Sequence, residues 1–428
     1  MLMEEIEQIS EFAQLQLDKE NASNKATKHM LSIVEDFIAS ARVMCYGGTA
    51  INNLLPDKDK FYDPVTDIPD YDMFSETPQI HAMELADKLS KSGVTTVEVK
   101  PGMHPGTYKV FANFTGVADI TKLTNPLFSK LWDQSVVKSK VHYVPPNFLR
   151  MSIYMELSRP RGDVSRWSKV YSRLLLVNQH YPIVCPKKYE DITDVLVPDA
   201  VRRKIEKLIL DEKLVLLGFN ASTLHNVKGG GKWKLPIDVL AEPAQIKTVA
   251  KKFQTILGKT SLKEHERYGE VIPPYVDIID DSTGNVAVRI YETFYCHSYH
   301  TAPKGLRIAS IPTLLQFFLS SLYGDDDIRQ GIPEQRYLCA AEHLLELAEE
   351  SGDRKYSLLT PIECIGKQDS LTDVKIKRAV TYDKLSKDRN SPLYLETFFT
   401  YDPTKVTAAD KKKLKSKLSK IQNEDHSD

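Results

Sequence analysis

Apolar and polar positions alternate with two different periods along this chain, and the changes of period mark its elements. Ile6, Ile9, Ala13 and Leu17 recur at helical spacing and predict an amphipathic helix over 1–20 with those residues inward. A second helix is predicted over 24–41, with Ile33, Phe37 and Ile38 inward. Residues 42–46 form a short apolar strand that ends on Gly47-Gly48-Thr49, and 50–55 make one or two helical turns stopped by Pro56. An acidic loop follows. Residues 70–75 then alternate strictly, as a strand does. A helix over 79–90 leads to three more strands, at 94–99, 108–114 and 117–123.

The same order restarts after about residue 186. A helix at 200–210 precedes an apolar strand at 214–219 ending in a glycine turn, a strand at 236–241, a helix at 244–257, and strands at 275–280 and 286–296. The pattern predicts an internal repeat of fold rather than of sequence. The last third reads as helical, with Leu314, Leu315, Phe318 and Leu322 on one face of 311–323, and a further helix at 334–349. A lysine run after Ala408 reads as a solvated helix end or tail. The expected class is α+β with mixed sheets, divided into 1–185 and 186–428.

Composition narrows the functional classes. Of 428 residues, 42% are hydrophobic and 27% charged, which excludes wholesale disorder and low-complexity chains. With 57 Lys and Arg against 58 Asp and Glu, attraction for a polyanion has to be local. It is: residues 120–190 hold 12 Lys and Arg against 4 Asp and Glu, whereas 57–92 hold 4 against 9. No apolar run reaches the ~18 residues of a membrane span, so no membrane partner is expected. The acidic first twenty residues do not read as a secretory signal. Five dispersed cysteines, an odd number without a C-x-x-C pair, predict neither a disulfide framework nor a zinc site, and point to a reducing compartment.

Chemistry concentrates in six residues. Asp70 and Asp72 stand two apart on a strand, so both carboxylates leave one face. Their repulsion is relieved by a cation, and Mg²⁺ (or Mn²⁺) suits a few carboxylates together with phosphate oxygens. Asp119, on the later strand V-A-D-I-T, supplies a third carboxylate and makes a site for two metals. Gly47, Gly48 and Thr49, between a strand end and a helix start, offer close backbone approach and free N–H groups to phosphate, with the Thr49 hydroxyl as a further donor.

The ordered set resembles the nucleotidyltransferase superfamily of the DNA polymerase β type: Gly47-Gly48-Thr49 matches its glycine motif, Asp70-Tyr71-Asp72 its D-x-D motif and Asp119 its third aspartate. The stretches CYGGTAINNLL, IPDYDMFS, GVADITKL and YMELSRPRGDVSRWSKVYSRL are similar to the poly(A) polymerase catalytic subunits of large cytoplasmic DNA viruses, the poxviruses and giant viruses. The resemblance implies a polymerase β-like catalytic domain and template-independent addition of AMP from ATP to RNA 3′ ends. Asp70 and Asp72 would bind both metals, and Asp119 the one that activates the primer hydroxyl. It implies a protein of the virion or host cytoplasm. Poxvirus relatives work with a separate processivity subunit and giant-virus relatives as dimers, so a homodimer is among the expected partners. Rival readings are a nucleotidyltransferase acting on tRNA ends, small molecules or proteins, and a non-catalytic RNA-binding subunit.

Two further segments bear on this. In 158–180, Trp167, Val170, Leu174 and Val177 fall on one helical stripe and Arg166, Lys169 and Arg173 on the next. Arg166 and Lys169 are candidate contacts for the nucleotide phosphates and Arg173 for RNA; the plain alternative is a core helix with a solvated basic edge. Tyr143, Phe148, Tyr154, Trp167 and Tyr171 are candidate base-stacking residues. The second half lacks the chemistry: Gly218-Phe219-Asn220 replaces the glycine motif, Asp238 is followed at plus two by Leu240, and Asp277 and Asp280 have no D-x-D partner. It reads as a degenerate copy serving as a platform. Neither Gly258-Lys259-Thr260, with Phe253 where the loop's first glycine belongs, nor Gly229-Gly230-Gly231-Lys232, followed by Trp233 in place of Ser or Thr, makes a phosphate loop.

Overall fold

The computed structural model describes residues 2–186, 194–225, 232–350 and 361–424. It divides into two compact units, one made of 1–145 and 372–428, the other of 146–371.

The first unit opens with α1 (Leu2–Ser23) and α2 (Lys25–Ser40), the latter capped by the Asn24 side chain accepting from the Ala26 N–H. Then come β1 (Met44–Tyr46), α3 (Gly47–Leu54), β2 (Tyr71–Ser75), α4 (Pro78–Lys91), β3 (Val97–Pro101), β4 (Thr107–Ala112), β5 (Thr115–Lys122), α5 (Leu127–Asp133), β6 (Val136–Lys138) and β7 (Val141–Tyr143). The strands form one mixed sheet in the order β3-β4-β5-β2-β1-β7-β6. β2 runs parallel to β5 and β1 parallel to β7; the other pairs are antiparallel. Cys45, Met73, Tyr108, Val110, Ala118 and Ile120 leave one face and are buried. There α4 packs on β3, β4 and β5, with α2 beside it. The opposite face carries the polar residues of the same strands, and the candidate site sits there.

The second unit contains α6 (Pro146–Leu157), α7 (Trp167–His180), α8 (Asp199–Asp211), β8 (Val215–Leu217), α9 (Gly218–His225), β9 (Ile237–Ala241), α10 (Ile246–Leu257), β10 (Thr260–His265), β11 (Tyr275–Asp280), β12 (Val286–Glu292), β13 (His297–Thr301), β14 (Arg307–Ala309), α11 (Ile311–Ser321), α12 (Asp326–Arg329), α13 (Glu334–Glu350) and β15 (Cys364–Ile365). Its sheet runs β10-β11-β12-β9-β8-β14-β13-β15. The first seven strands repeat the first unit's order and directions, including the two parallel pairs, β9 with β12 and β8 with β14. The expected repeat is therefore present, down to strand register. Every residue of α11 is buried, which makes it the central helix of this unit, packed on α6 and α13.

Several expectations are corrected. The chain returns to the first unit for α14 (Leu371–Leu385), α15 (Pro392–Phe398) and α16 (Ala408–Glu424), so the last helices do not belong with the second half. Tyr401 pairs with Val99 through two backbone hydrogen bonds at the β3 edge, Phe399 is buried against Tyr108, and Lys411 and Lys415 of α16 bind Asp87 and Glu84 of α4. The break between units falls at 145/146 rather than 185. On α1 the stripe expected to face inward is open, with Ile6, Ile9 and Leu17 each more than half exposed. Four of the five cysteines are paired, Cys185 with Cys339 and Cys296 with Cys364, leaving Cys45 buried and free. Partners 154 and 68 residues apart leave no local spacing signal, because only the tertiary fold joins them. The inference of a reducing compartment from cysteine usage loses its basis. Among the described residues no helix is long and apolar enough to cross a membrane. Gly258 ends α10 and Thr260 starts β10, the reverse of a phosphate loop; residues 229–231 of the other glycine run lie outside the described residues.

Candidate active site

Register builds the site. Tyr46 on β1 lies opposite Asp72 on β2, Asp72 opposite Asp119 on β5, Asp119 opposite Lys109 on β4, and Lys109 opposite Lys100 on β3. These five side chains leave the open face of the sheet in one row across five strands. Asp70, one residue before β2, joins Asp72 and Asp119, and their carboxylate oxygens lie within 4.8 Å of one another. The structure thus brings together the three aspartates that sequence singled out.

The turn before α3 explains its glycines. Gly47 has φ +69°, the left-handed region. A Cβ there would sit 2.4 Å from Asp72 Oδ2, so the turn passes directly against the carboxylate. Tyr46 places no side-chain cap on α3, and a helix start of this kind presents N–H groups to an anion. Thr49 takes another role than phosphate donor: buried, it donates its hydroxyl hydrogen to the Asp70 carbonyl at 2.8 Å and ties the helix to the residue that starts the D-x-D segment.

The electrostatics follow from crowding. Protein packed around the Asp70 carboxyl, then the charge of Asp119, push its pKa above the ordinary value, with Lys109 pulling the other way. Burial works against the Lys109 charge, but its bond to Asp119 and the charges of Asp119, Asp70 and Asp72 outweigh that and raise its pKa. Burial, and then Asp72, push the Tyr46 phenol well up. It stays a hydrogen-bonding group, 3.0 Å from Thr121 Oγ1, with its ring stacked on Phe74 at 3.8 Å. Neither Lys109 nor Tyr46 was legible in sequence; alternation in T-Y-K-V-F-A gives the face but not the register.

The candidate phosphate-binding cations lie in the second unit. Val170, Leu174 and Val177 are buried along α7. Arg166 and Lys169 are exposed and Arg173 is half-buried. Arg166 Nε lies 3.2 Å from Glu156 Oε1. Burial pushes the Glu156 pKa up, and Arg166 lowers it again. Of the candidate stacking residues, Tyr143, Phe148 and Tyr154 are corrected to core, while Trp167 and Tyr171 keep partial exposure. Arg150, counted in the basic tract, is fully buried and bonded to Asn178, Asn147 and the Tyr181 carbonyl.

The second sheet shows the same place without the chemistry. Leu217 lies opposite Asp238, Asp238 opposite Arg289, Arg289 opposite Asp277, and Asp277 opposite Lys263. Gly218 repeats Gly47, with φ +66° and a would-be Cβ 2.1 Å from Asp238 Oδ2. Asp238 therefore matches the second D-x-D aspartate, with Pro236 in the first place. Arg289 stands where Asp119 stands, and Asp277 where Lys109 stands. The buried Arg289 guanidinium binds both Asp277 oxygens, at 2.7 and 2.8 Å, and the carbonyls of Asp327 and Ile328. Asp238 lines a narrow pocket with Gly218, Phe219, Arg289, Tyr291 and Tyr337. Burial pushes its pKa up to about 7, against the pull of Arg289.

Comparison with known proteins agrees with the first sheet's geometry. Residues 32–163 match the family model of the poly(A) polymerase catalytic subunit. A protein carrying the name poly(A) polymerase catalytic subunit from a Kenyan pig isolate of African swine fever virus is 31% identical over 189 residues, 42% of this chain and 39% of that protein. One of the same name from Acanthamoeba polyphaga mimivirus is 27% identical over 183 residues, 42% of this chain and 30% of its own length. The chain thus spans about two-fifths or less of these relatives. The crystal structure of the Megavirus polyadenylate synthase superposes with a TM-score of 0.79 at 20% identity, covering 98% of this chain and 88% of that one. The fold, both units included, is that of the viral enzyme.

Proposed function

We propose that this chain is a viral, template-independent polynucleotide adenylyltransferase that moves AMP from ATP to the 3′ end of RNA. The observation that carries the reading is the row of facing carboxylates, Asp72 and Asp119 with Asp70 beside them, set against the uncapped start of α3. The donor set fits a hard divalent cation, Mg²⁺ or Mn²⁺, because it is all carboxylate oxygen, without Cys or His. Asp70 and Asp72 would hold two such ions and Asp119 one of them; when bound, they neutralise phosphate charge and lower the pKa of the primer hydroxyl. Asp119 accepts that proton as the 3′-oxygen attacks the α-phosphorus. The bond to the β-phosphate oxygen breaks and pyrophosphate leaves. The Gly47 and Gly48 N–H groups hold the β- and γ-phosphates, and Thr49 keeps Asp70 in place. On the second unit, Arg166, Lys169 and Arg173 offer a basic edge of α7 to phosphate, of nucleotide or of RNA. The second unit, with Arg289 in the place of a third aspartate, serves as a non-catalytic platform.

Incubating the full chain with an RNA primer and each labelled nucleotide separately tests the reading. Extension with ATP in preference to CTP, GTP and UTP is the expected result. Addition of CTP to tRNA ends points to the other nucleotidyltransferase reading. RNA binding without addition of any nucleotide points to a non-catalytic subunit.

A further inference from the structure

The row through the carboxylates continues into Lys109, whose ammonium is bonded to Asp119 Oδ2. It is 38% exposed and Asp119 15%, so the lysine reaches in from the rim to a more enclosed partner. Three carboxylates gathered this closely repel one another. Lys109 offsets that repulsion, but it also occupies an Asp119 oxygen and adds a positive charge where a divalent ion would approach.

We propose that Lys109 is an internal stand-in for the metal: it holds the Asp70, Asp72 and Asp119 carboxylates together until a divalent cation arrives, then gives up Asp119 to it. The lysine thereby trades metal affinity for a pre-ordered site. The inference rests on reading the triad as a divalent-cation site. No proton has to move, since the ammonium stays charged throughout.

The second unit carries the same arrangement in a locked form. Its cation stands one strand further in, at the Asp119 place, and is held by both Asp277 oxygens and two backbone carbonyls. A guanidinium so fixed and only 3% exposed has no route out. Lys109, more than a third exposed and on a flexible stem, can swing into solvent. Where the cation is anchored, the ligand set has been given up; where it is releasable, the set is complete.

The test is Mn²⁺ binding, measured by calorimetry, together with melting in EDTA, on the full chain and its variants. Lys109→Met keeps the stem and removes the charge. It is expected to melt several degrees lower in EDTA, to bind Mn²⁺ about tenfold tighter, and to gain more than wild type from the metal. Lys109→Arg is expected to melt as wild type does in EDTA. Pairing Lys109→Met with Asp119→Asn removes the repulsion along with the counter-ion, and should restore the wild-type melting temperature without metal. Asp72→Asn should remove Mn²⁺ binding, which fixes the signal to the triad. Unchanged or weaker Mn²⁺ binding by Lys109→Met overturns the proposal, as does a double variant that melts as low as the single one, which would make the lysine a packing element. No Mn²⁺ binding by wild type overturns it as well. Mn²⁺ binding that responds to Lys109 in a chain that extends no RNA leaves this inference standing and removes the functional reading. RNA extension with Mn²⁺ affinity indifferent to Lys109 does the reverse.

Discussion

Asp72 and Asp238 occupy the same place in two copies of one sheet, and their surroundings give them opposite duties. Asp72 stands among carboxylates on an open face, with Lys109 at its neighbour. Replacing it by Ala should lower nucleotide addition by at least about a hundredfold to a thousandfold, the range expected when transition-state charge stabilisation is lost. With one like charge fewer, the variant should melt in EDTA at or above the wild-type temperature. A well-folded Asp72→Ala protein that extends RNA normally would remove Asp72 from the chemistry. Asp238 lines a narrow pocket, no hydrogen bond to its carboxylate is seen among the described residues, and burial pushes its pKa up to about 7. An acid whose folded pKa lies above its unfolded value of about 3.9 stabilises most below that value, and the contribution fades as pH rises through 7. Asp238→Asn should abolish this dependence, with turnover unchanged, and be more stable than wild type at pH 8, seen as a higher melting temperature, by on the order of 1–3 kcal/mol. A variant that melts no higher at pH 8 would show the carboxylate stabilised by its surroundings. The cluster of three aspartates was legible because strand alternation and the glycine turn are local signals. Asp238 was legible as an isolated acid but was matched to the first D-x-D position instead of the second. The true correspondence is fixed by the Gly218 contact and by pairing with β8, which no spacing within 236–241 reveals.

Helix α7 shows how far an amphipathic pattern reaches. Its buried stripe came out as expected at Val170, Leu174 and Val177, whereas α1, with an equally regular stripe, presents Ile6 and Ile9 to solvent. Periodicity reports that a helix has an apolar side; whether anything covers that side depends on the rest of the fold. The basic edge of α7 carries a measurable expectation. Phosphate contacts release counterions, so affinity for a single-stranded primer should fall with salt by a log–log slope of about −0.7 per contact. Replacing Arg166 and Arg173 together by Ala should flatten the slope by one to two contacts if both touch RNA. If they meet ATP instead, the slope stays and the KM for ATP rises. A double variant with the wild-type slope and wild-type ATP dependence would reduce the stripe to a solvated helix edge.

The path of the chain through the two units was the least legible feature. Fold repetition was visible because helix and strand periods recur in order after residue 186, but the return of 372–428 to the first unit has no sequence signature, since its contacts are side-chain and edge contacts with residues some 300 positions earlier. Those contacts are substantial. Tyr401 extends the β3 edge by two backbone hydrogen bonds, of 2.8 and 3.1 Å. The Tyr108 hydroxyl donates to the Glu396 carbonyl at 2.7 Å, and Tyr401 and Lys411 both reach Asp87. Tyr108 is also the neighbour of Lys109 on β4, so the strand that carries the counter-ion is braced from its buried side by the C-terminal segment. Removing 372–428 would expose Tyr108 and the β3 edge at once. A buried aromatic partner such as Phe399 is alone worth roughly 3–5 kcal/mol when lost. A chain ending at residue 371 should therefore lose the first unit's cooperative melting and its RNA extension, while the second unit, whose residues 146–371 are all retained, still unfolds as a distinct transition. The milder Phe399→Ala should lower only the first unit's transition and reduce RNA extension in step with the population unfolded. A truncated chain that melts and extends RNA as the full chain does would mean that the C-terminal helices rest on the first unit without supporting it.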